Sequence, residues 1–353
     1  MRAHVLVAFL LSVSLLSFGP TADAIDSSSL ADPRQIIEAA KPFYNFNAPT
    51  LKPFHLKVAY QLYDRKGKPS EQGAYEYWWA SSQVYRSSWT RPGATRTDWH
   101  TADGHTTRLA TGEALKYFEK KLQSLLMSPL ADLEDLDPSR FRLDRVSLPA
   151  NNIKFPCIAI MMLEQPNATS PPPPESLSPV YCFDTETPVL WAVHSFGIVT
   201  AEFKAIVKMQ DHYLPREILI TGAKQNILSA AVNTISGLSP SDPALTPALN
   251  AFLVNEENPP PSSVFSGLTR IRTVKPVYQP MARSAHEFGT VIRQAVIGMN
   301  GAVRDPQVIL APSASLADSA LEAVSQWVYK PRLVHRKPVE EDLIVSLTYR
   351  SGY

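Results

Sequence analysis

From residue 54 onward, apolar and polar positions alternate strictly. Phe54, Leu56, Val58, Tyr60 and Leu62 interleave with His55, Lys57, Ala59, Gln61 and Tyr63. That is the period of a half-buried strand. Residues 64–68 follow as a polar turn, and residues 74–79 and 84–90 continue as strands rich in Trp and Tyr, which suit a pleated surface. The period then changes. Leu115, Phe118, Leu122, Leu125 and Leu126 fall on one face of an amphipathic helix, which Thr111 would cap and Pro129 would end. Strand patterning resumes over residues 141–148, 153–162, 180–184, 190–196, 200–209 and 215–221. Residues 227–235 read as strand or short helix, and the turn-like residues 223–225 before them favour strand. These elements predict an antiparallel β domain over residues 51–238, about nine or ten strands curled around one helix. An exposed lead-in over residues 25–50, with a short helix over 33–40, would precede it.

Residues 239–268 carry Pro240, Pro243, Pro247 and Pro259 to Pro261 and read as a linker, with one or two helical turns over 248–254. Beyond it the pattern predicts a helix over 281–287, a strand over 290–297, and a hairpin turn at Asn300-Gly301 with positive φ at both positions. A strand over 303–310 follows. Next comes a helix capped by Ser315, with Asp318 three residues on. Its buried stripe would be Ala317, Ala320, Leu321, Val324 and Trp327, and Lys330-Pro331 would stop it. The final strand, 343–350, sets Leu343, Val345, Leu347 and Tyr349 on one face. Residues 269–353 thus form a small α+β unit, and the chain as a whole falls in the α+β class.

Composition narrows the function. Lys and Arg number 34 against 33 Asp and Glu, so no broad positive field exists to gather nucleic acid. Hydrophobic residues at 44% with near-zero net charge exclude global disorder. Of the 31 prolines, against 14 glycines, six lie in the 166–179 loop, six in the 239–268 joint and six in the C-terminal unit, where they mark a loop, a boundary and element ends. Arg2, the apolar run 5–18 and Ala22-Asp23-Ala24 have the form of a signal peptide over residues 1–24. The run is short for a bilayer span, so a periplasmic product is expected, with an uncleaved inner-membrane anchor as the alternative. In an oxidising compartment Cys157 and Cys182 would form one disulfide, the alternative being two buried thiols.

Candidate chemistry is sparse. Asp98, His100, Asp103 and His105 cluster as oxygen and imidazole donors, but Asp103-Gly104 reads better as a turn between exposed histidines. His194 and His212 lie far apart, and Ser266 has no base at motif spacing. HExxH, GxSxG and phosphate-loop motifs are absent from the sequence. Neither a catalytic residue nor a metal nor a cofactor is expected, and the protein reads as a non-enzymatic binding protein.

One set of ordered positions is specific. Pro276, Tyr278, Pro280, Gly289, Asn300, Gly301, Trp327 and Pro331, with Ala282-Arg283, Val303 and Lys337-Pro338, resemble the C-terminal domain of TonB-family proteins. This chain has Tyr278-Gln279-Pro280 where the family commonly has Tyr-Pro. The resemblance implies a binding domain that pairs an edge strand with an extended peptide of an outer-membrane transporter or other envelope protein. The edge would be Leu343, Ile344, Val345, Ser346, Leu347, Thr348 and Tyr349. Energy transduction across the envelope is a family role, yet a joint of under 30 residues would reach less than about 100 Å. A second copy of the chain is a further candidate partner. The N-terminal part resembles, through its strand-turn-strand opening and Trp-rich second strand, the sheet of LolA-like lipoprotein carriers. That implies the alternative of a lipid or apolar-ligand carrier or sensor, with Trp78, Trp79, Tyr85, Trp89, Met161 and Met162 lining a cleft.

Overall fold

The computed structural model describes residues 32–350 except 65, 134–135, 151–152, 164–177, 185, 196–198, 223–224, 255–268 and 335–336. The signal-peptide segment, Pro166, Pro171 to Pro174, Pro259 to Pro261 and Ser266 lie outside the described residues. Thirteen strands form one antiparallel sheet. They are β1 (Phe54–Tyr63), β2 (Pro69–Ser81), β3 (Val84–Arg91), β4 (Ala94–His100), β5 (Thr106–Gly112), β6 (Phe141–Ala150), β7 (Ile153–Met162), β8 (Val180–Phe183), β9 (Leu190–Ser195), β10 (Val199–Met209), β11 (His212–Gly222), β12 (Gln225–Gly237) and β13 (Phe252–Val254). Their order is β13-β5-β4-β3-β2-β1-β12-β11-β10-β9-β8-β7-β6. Helices α1 (Pro33–Ala40) and α2 (Tyr117–Met127) belong to the same layer system. One buried cluster takes Tyr75 and Trp89 from one end of the sheet, Ile158 and Tyr181 from the other, and Leu122, Leu125 and Leu126 from α2. The inner face therefore wraps the helix. Each buried leucine there contributes roughly 1.5–3 kcal/mol.

A carboxylate pins α2 in place. Glu119 is fully buried and accepts from the Tyr60 hydroxyl (2.5 Å), Arg91 Nε (3.2 Å) and the Lys116 backbone N–H (2.7 Å). Tyr60 reaches it across Gly73, where an added Cβ would lie 2.2 Å from the Tyr60 ring. Glycine at that position is thus a steric requirement of the contact. Cys157 and Cys182 face each other on β7 and β8 and are joined by a disulfide.

Several expectations are corrected here. The lead-in is part of the core: Ile36, Ile37, Ala40, Tyr44 and Phe46 are buried, and the Tyr44 hydroxyl accepts from the Leu190 N–H at 2.6 Å. Strands β4 and β5 raise the count above ten. Their inward positions carry Arg96, Asp98 and Arg108, so apolar alternation is absent there and ion pairing of both arginines to Asp98 replaces it. Thr111 lies in β5, and α2 starts after Lys116, whose N–H is held by Glu119. Residues 239–254 are laid on the sheet. A 3-10 turn, Pro243–Leu245, offers the Ala244 carbonyl to Trp99 Nε1 at 3.0 Å, and β13 pairs with β5 where helical turns were expected. The pairing partner, distant in sequence, decides strand over helix.

The C-terminal residues form a second, smaller assembly: β14 (Arg270–Arg272), α3 (Pro280–Ser284), β15 (Gly289–Ile297), β16 (Val303–Leu310), α4 (Ala314–Val324), β17 (Val328–Tyr329), β18 (Arg332–Val334), β19 (Lys337–Val339) and β20 (Glu341–Tyr349). Strands β16, β15 and β20 form a sheet in that order. Ser313, not Ser315, caps α4, accepting from the Leu316 N–H at 3.3 Å. The buried stripe is Leu316, Ala317, Ala320, Ala323 and Val324, with Leu321 exposed. The helix ends at Val324, ahead of Pro331, because the chain must turn there to bury Trp327 and pair β17 with β14. Only Gly301 of the Asn300-Gly301 turn has positive φ, +81°. The loop is longer than two residues: the Gly298 N–H donates to the Ala302 carbonyl and the Gly301 N–H to the Gly298 carbonyl. That is a turn completed by one left-handed glycine.

Candidate functional site

Strand β20 pairs with β15 along one edge, in register from Gly289 with Tyr349 to Ile297 with Glu341. Among the described residues no strand pairs with its other edge. Its side chains alternate as a strand requires. Leu343, Val345 and Tyr349 are buried and Leu347 packs beside them on the face toward α4, Trp327 and Tyr329. Ile344, Ser346 and Thr348 occupy the opposite face, and the hydroxyls of Thr348 and Thr290 share a 3.0 Å hydrogen bond. Thus the strand has one face locked into a core and a backbone edge without a strand partner, the arrangement that accepts an added strand.

The anchors of β20 are polar and specific. Tyr349 donates from its hydroxyl to Ser319 Oγ at 3.0 Å, and Ser319 donates to the Val277 carbonyl at 2.5 Å. Burial pushes the Tyr349 phenol up, opposed by the Ser319 contact, so it stays a neutral donor. Tyr278 packs edge-on against Tyr349, 5.8 Å between centroids, and donates to the Glu287 carbonyl. Arg293 of β15 is buried and spans to the Ala317 carbonyl of α4 (2.8 Å) and the Pro306 carbonyl of β16 (3.1 Å).

The family-like positions surround this frame rather than line the edge. Pro280 begins α3, and Pro276 lies in the segment before it. Gly289 has φ +133°, and a Cβ there would meet Pro312 at 2.7 Å. Asn300 accepts from the Ala302 N–H at 3.0 Å. Gly301 abuts the Tyr329 carbonyl, 2.0 Å from where a Cβ would stand, while Pro331 closes the other side. Trp327 donates from Nε1 to the Val274 carbonyl at 2.8 Å.

The other candidate residues do not converge. Trp79 and Trp89 are in the core with Tyr85 beside them, whereas Trp78 lies on the outer face, stacked between His55 (4.4 Å) and Arg86 (4.1 Å). Met161 and Met162, adjacent on β7, point to opposite faces. Asp98 is occupied by Arg96 and Arg108, Asp103-Gly104 forms the β4–β5 turn, and no metal-capable cluster exists among the described residues. His194 bonds Thr200 across β9 and β10, and His212 bonds the Gln210 carbonyl. Ile344, named above as an edge-strand residue, also packs inward, a contact that the strand pattern alone does not reveal. Ile292 belongs to the buried cluster of the large sheet, and Ile309, Leu310 and Ile344 pack against that cluster. Only the exposed-looking apolar Ile344 in an otherwise polar face (Ser346, Thr348) hinted at it.

No helix among the described residues is long and apolar enough to cross a membrane. No curated protein matches the chain in sequence. Among solved structures, a LolA superfamily protein of Nitrosomonas europaea is 7% identical, over 61% of this chain and 97% of that one, with a TM-score of 0.36. A DUF1329 family protein of Desulfovibrio piger is 10% identical over 60% of this chain and 98% of its own, TM-score 0.36. The TonB C-terminal domain of Pseudomonas aeruginosa is 26% identical over 24% of this chain and 87% of its own, TM-score 0.22. Residues 274–350 match the family described as Gram-negative bacterial TonB protein C-terminal, the resemblance carried by the residues from Pro276 to Pro338.

Proposed function

We propose that the protein is an exported, non-enzymatic envelope protein that docks an outer-membrane transporter, or another envelope protein, by adding an extended segment of that partner to β20. We divide it into an N-terminal β domain, to which residues 239–254 belong, and a C-terminal domain from residue 269. The observation that carries the reading is the β16-β15-β20 order, which leaves β20 at an edge while Tyr349, Ser319 and Val277 hold it rigid. A prepaid, ordered strand lowers the entropy cost of pairing.

The test uses the full chain. Its two cysteines are joined to each other, so a Thr348→Cys variant carries one reactive thiol at an exposed β20 position. The variant is mixed with peptides from the periplasm-facing segments of outer-membrane transporters, each carrying a cysteine activated as its thiopyridyl disulfide, so that attack by the introduced thiol expels thiopyridone. A disulfide-linked adduct that disappears when the peptide backbone is N-methylated is the expected result. No adduct with any such segment, or adducts indifferent to N-methylation, removes strand addition as the mode of binding.

A further inference from the structure

Strand addition at β20 places the incoming chain beside a second surface, and the following inference rests on that reading. The face of the small sheet that carries Ile344 is not open to solvent throughout. Ile292, opposite Ser346 in the register, is fully buried within the large sheet's cluster, and Ile344 and Leu310 pack against the same cluster. On the large sheet the approach is made possible by Gly222 at the end of β11. A Cβ at that point would stand 2.6 Å from Ile227 and 3.2 Å from Leu310. Leu310 thus sits directly over a glycine, and Ile227 flanks it. Toward the far end of β20 the same face turns polar, with Thr290 and Thr348 sharing a hydrogen bond at an exposed position.

A strand added beyond β20 would lie about 5 Å further out, with side chains in the same alternation. Its residue beside Ile344 would enter the rim of the apolar contact between the two sheets, and its residue beside Thr348 would extend the hydroxyl pair into solvent. We infer that partner choice is read jointly by both sheets. The preferred segment is extended, with an aliphatic residue beside Ile344 and a hydroxyl-bearing residue beside Thr348. The large sheet then acts as a specificity surface for a peptide whose backbone is held by the small one.

Fluorescence anisotropy with the full chain tests this. The probes are a short labelled peptide with valine and threonine four positions apart, so that both fall on the Ile344 face, and its twin with aspartate in place of the valine. The expected result is that the valine peptide binds about tenfold tighter or more. In Gly222→Val, which wedges Leu310 away from the large sheet, that preference should fall to about twofold while the aspartate peptide binds as before. Leu310→Ala, a gentler change, should lower the preference in the same direction and covers the case in which Gly222→Val does not fold. A preference that persists unchanged in the folded variants overturns the joint reading and leaves β20 alone as the site. Binding of neither peptide, together with failure of the Thr348→Cys adduct, overturns strand addition itself.

Discussion

Glu119 shows how much depends on single polar groups in this chain. It is a carboxylate without solvent contact, held by a phenol, a guanidinium and a backbone N–H. Removing a partner leaves the rest of the charge uncompensated, which costs far more than the pair contributes net. Arg91→Met should therefore lower unfolding free energy by about 3–5 kcal/mol in urea titrations. Tyr60→Phe, which deletes one neutral donor, should cost about 1–3 kcal/mol. Protonation acts on further polar groups. A hydrogen bond from Lys116 holds Glu71 below its usual range, and Arg91 adds to this. Burial lowers His194, opposed by Glu202, and also lowers His55, opposed by Glu76. In each case the unfolded chain binds protons at a pH where the folded chain does not, so stability is present above the unfolded pKa and falls with acidification. The histidine contribution is lost as pH drops below about 6.5, and that of Glu71 below about 4.5. Melting temperature should decline from pH 8 to pH 5, and His194→Gln should flatten that decline.

Elements were legible where one residue pattern sufficed. The alternation in β1, the Leu-rich face of α2 and the stripe of α4 each report a local period, and the disulfide followed from two cysteines flanking strand-like segments. Strands β4 and β5 were not legible, because their inward side chains are charged and half-buried, held there by Asp98 serving two arginines. Strand β13 exists only through its pairing with β5, a contact made across more than a hundred positions of chain. The same distinction divides the candidate site: β20 announced itself by alternation, whereas the approach of the two sheets at Gly222 and Leu310 has no local signal. Turn chemistry lay between these cases, since Gly301 was evident but the loop around it was longer than a two-residue turn. Gly301→Val combines a left-handed φ with a Cβ placed on the Tyr329 carbonyl. It should destabilise the C-terminal assembly by about 1–3 kcal/mol, read as early loss of amide protection in β15 and β16.

For the molecule as a whole, the proline-bearing segment after β12 matters more as a strap than as a spacer. It crosses from β12 to the β5 edge, and the Ala244 carbonyl accepts from both Trp99 and Arg86 on the way. Amide exchange at Thr246 and in β13 should accordingly be slow, within reach of the neighbouring strands, whereas an open linker would exchange at once. Trp99→Ala should speed it by about tenfold through loss of one buried donor and its ring contact. The disulfide has a different kind of consequence. Because it joins facing residues of β7 and β8, the two strands stay covalently neighbours whatever becomes of the chain that connects them. A backbone cut anywhere between Leu163 and Ser178 would leave one molecule under oxidising conditions and two fragments once reduced. Evolution is consequently free to lengthen, shorten or rewrite that connection without asking it to keep the sheet together.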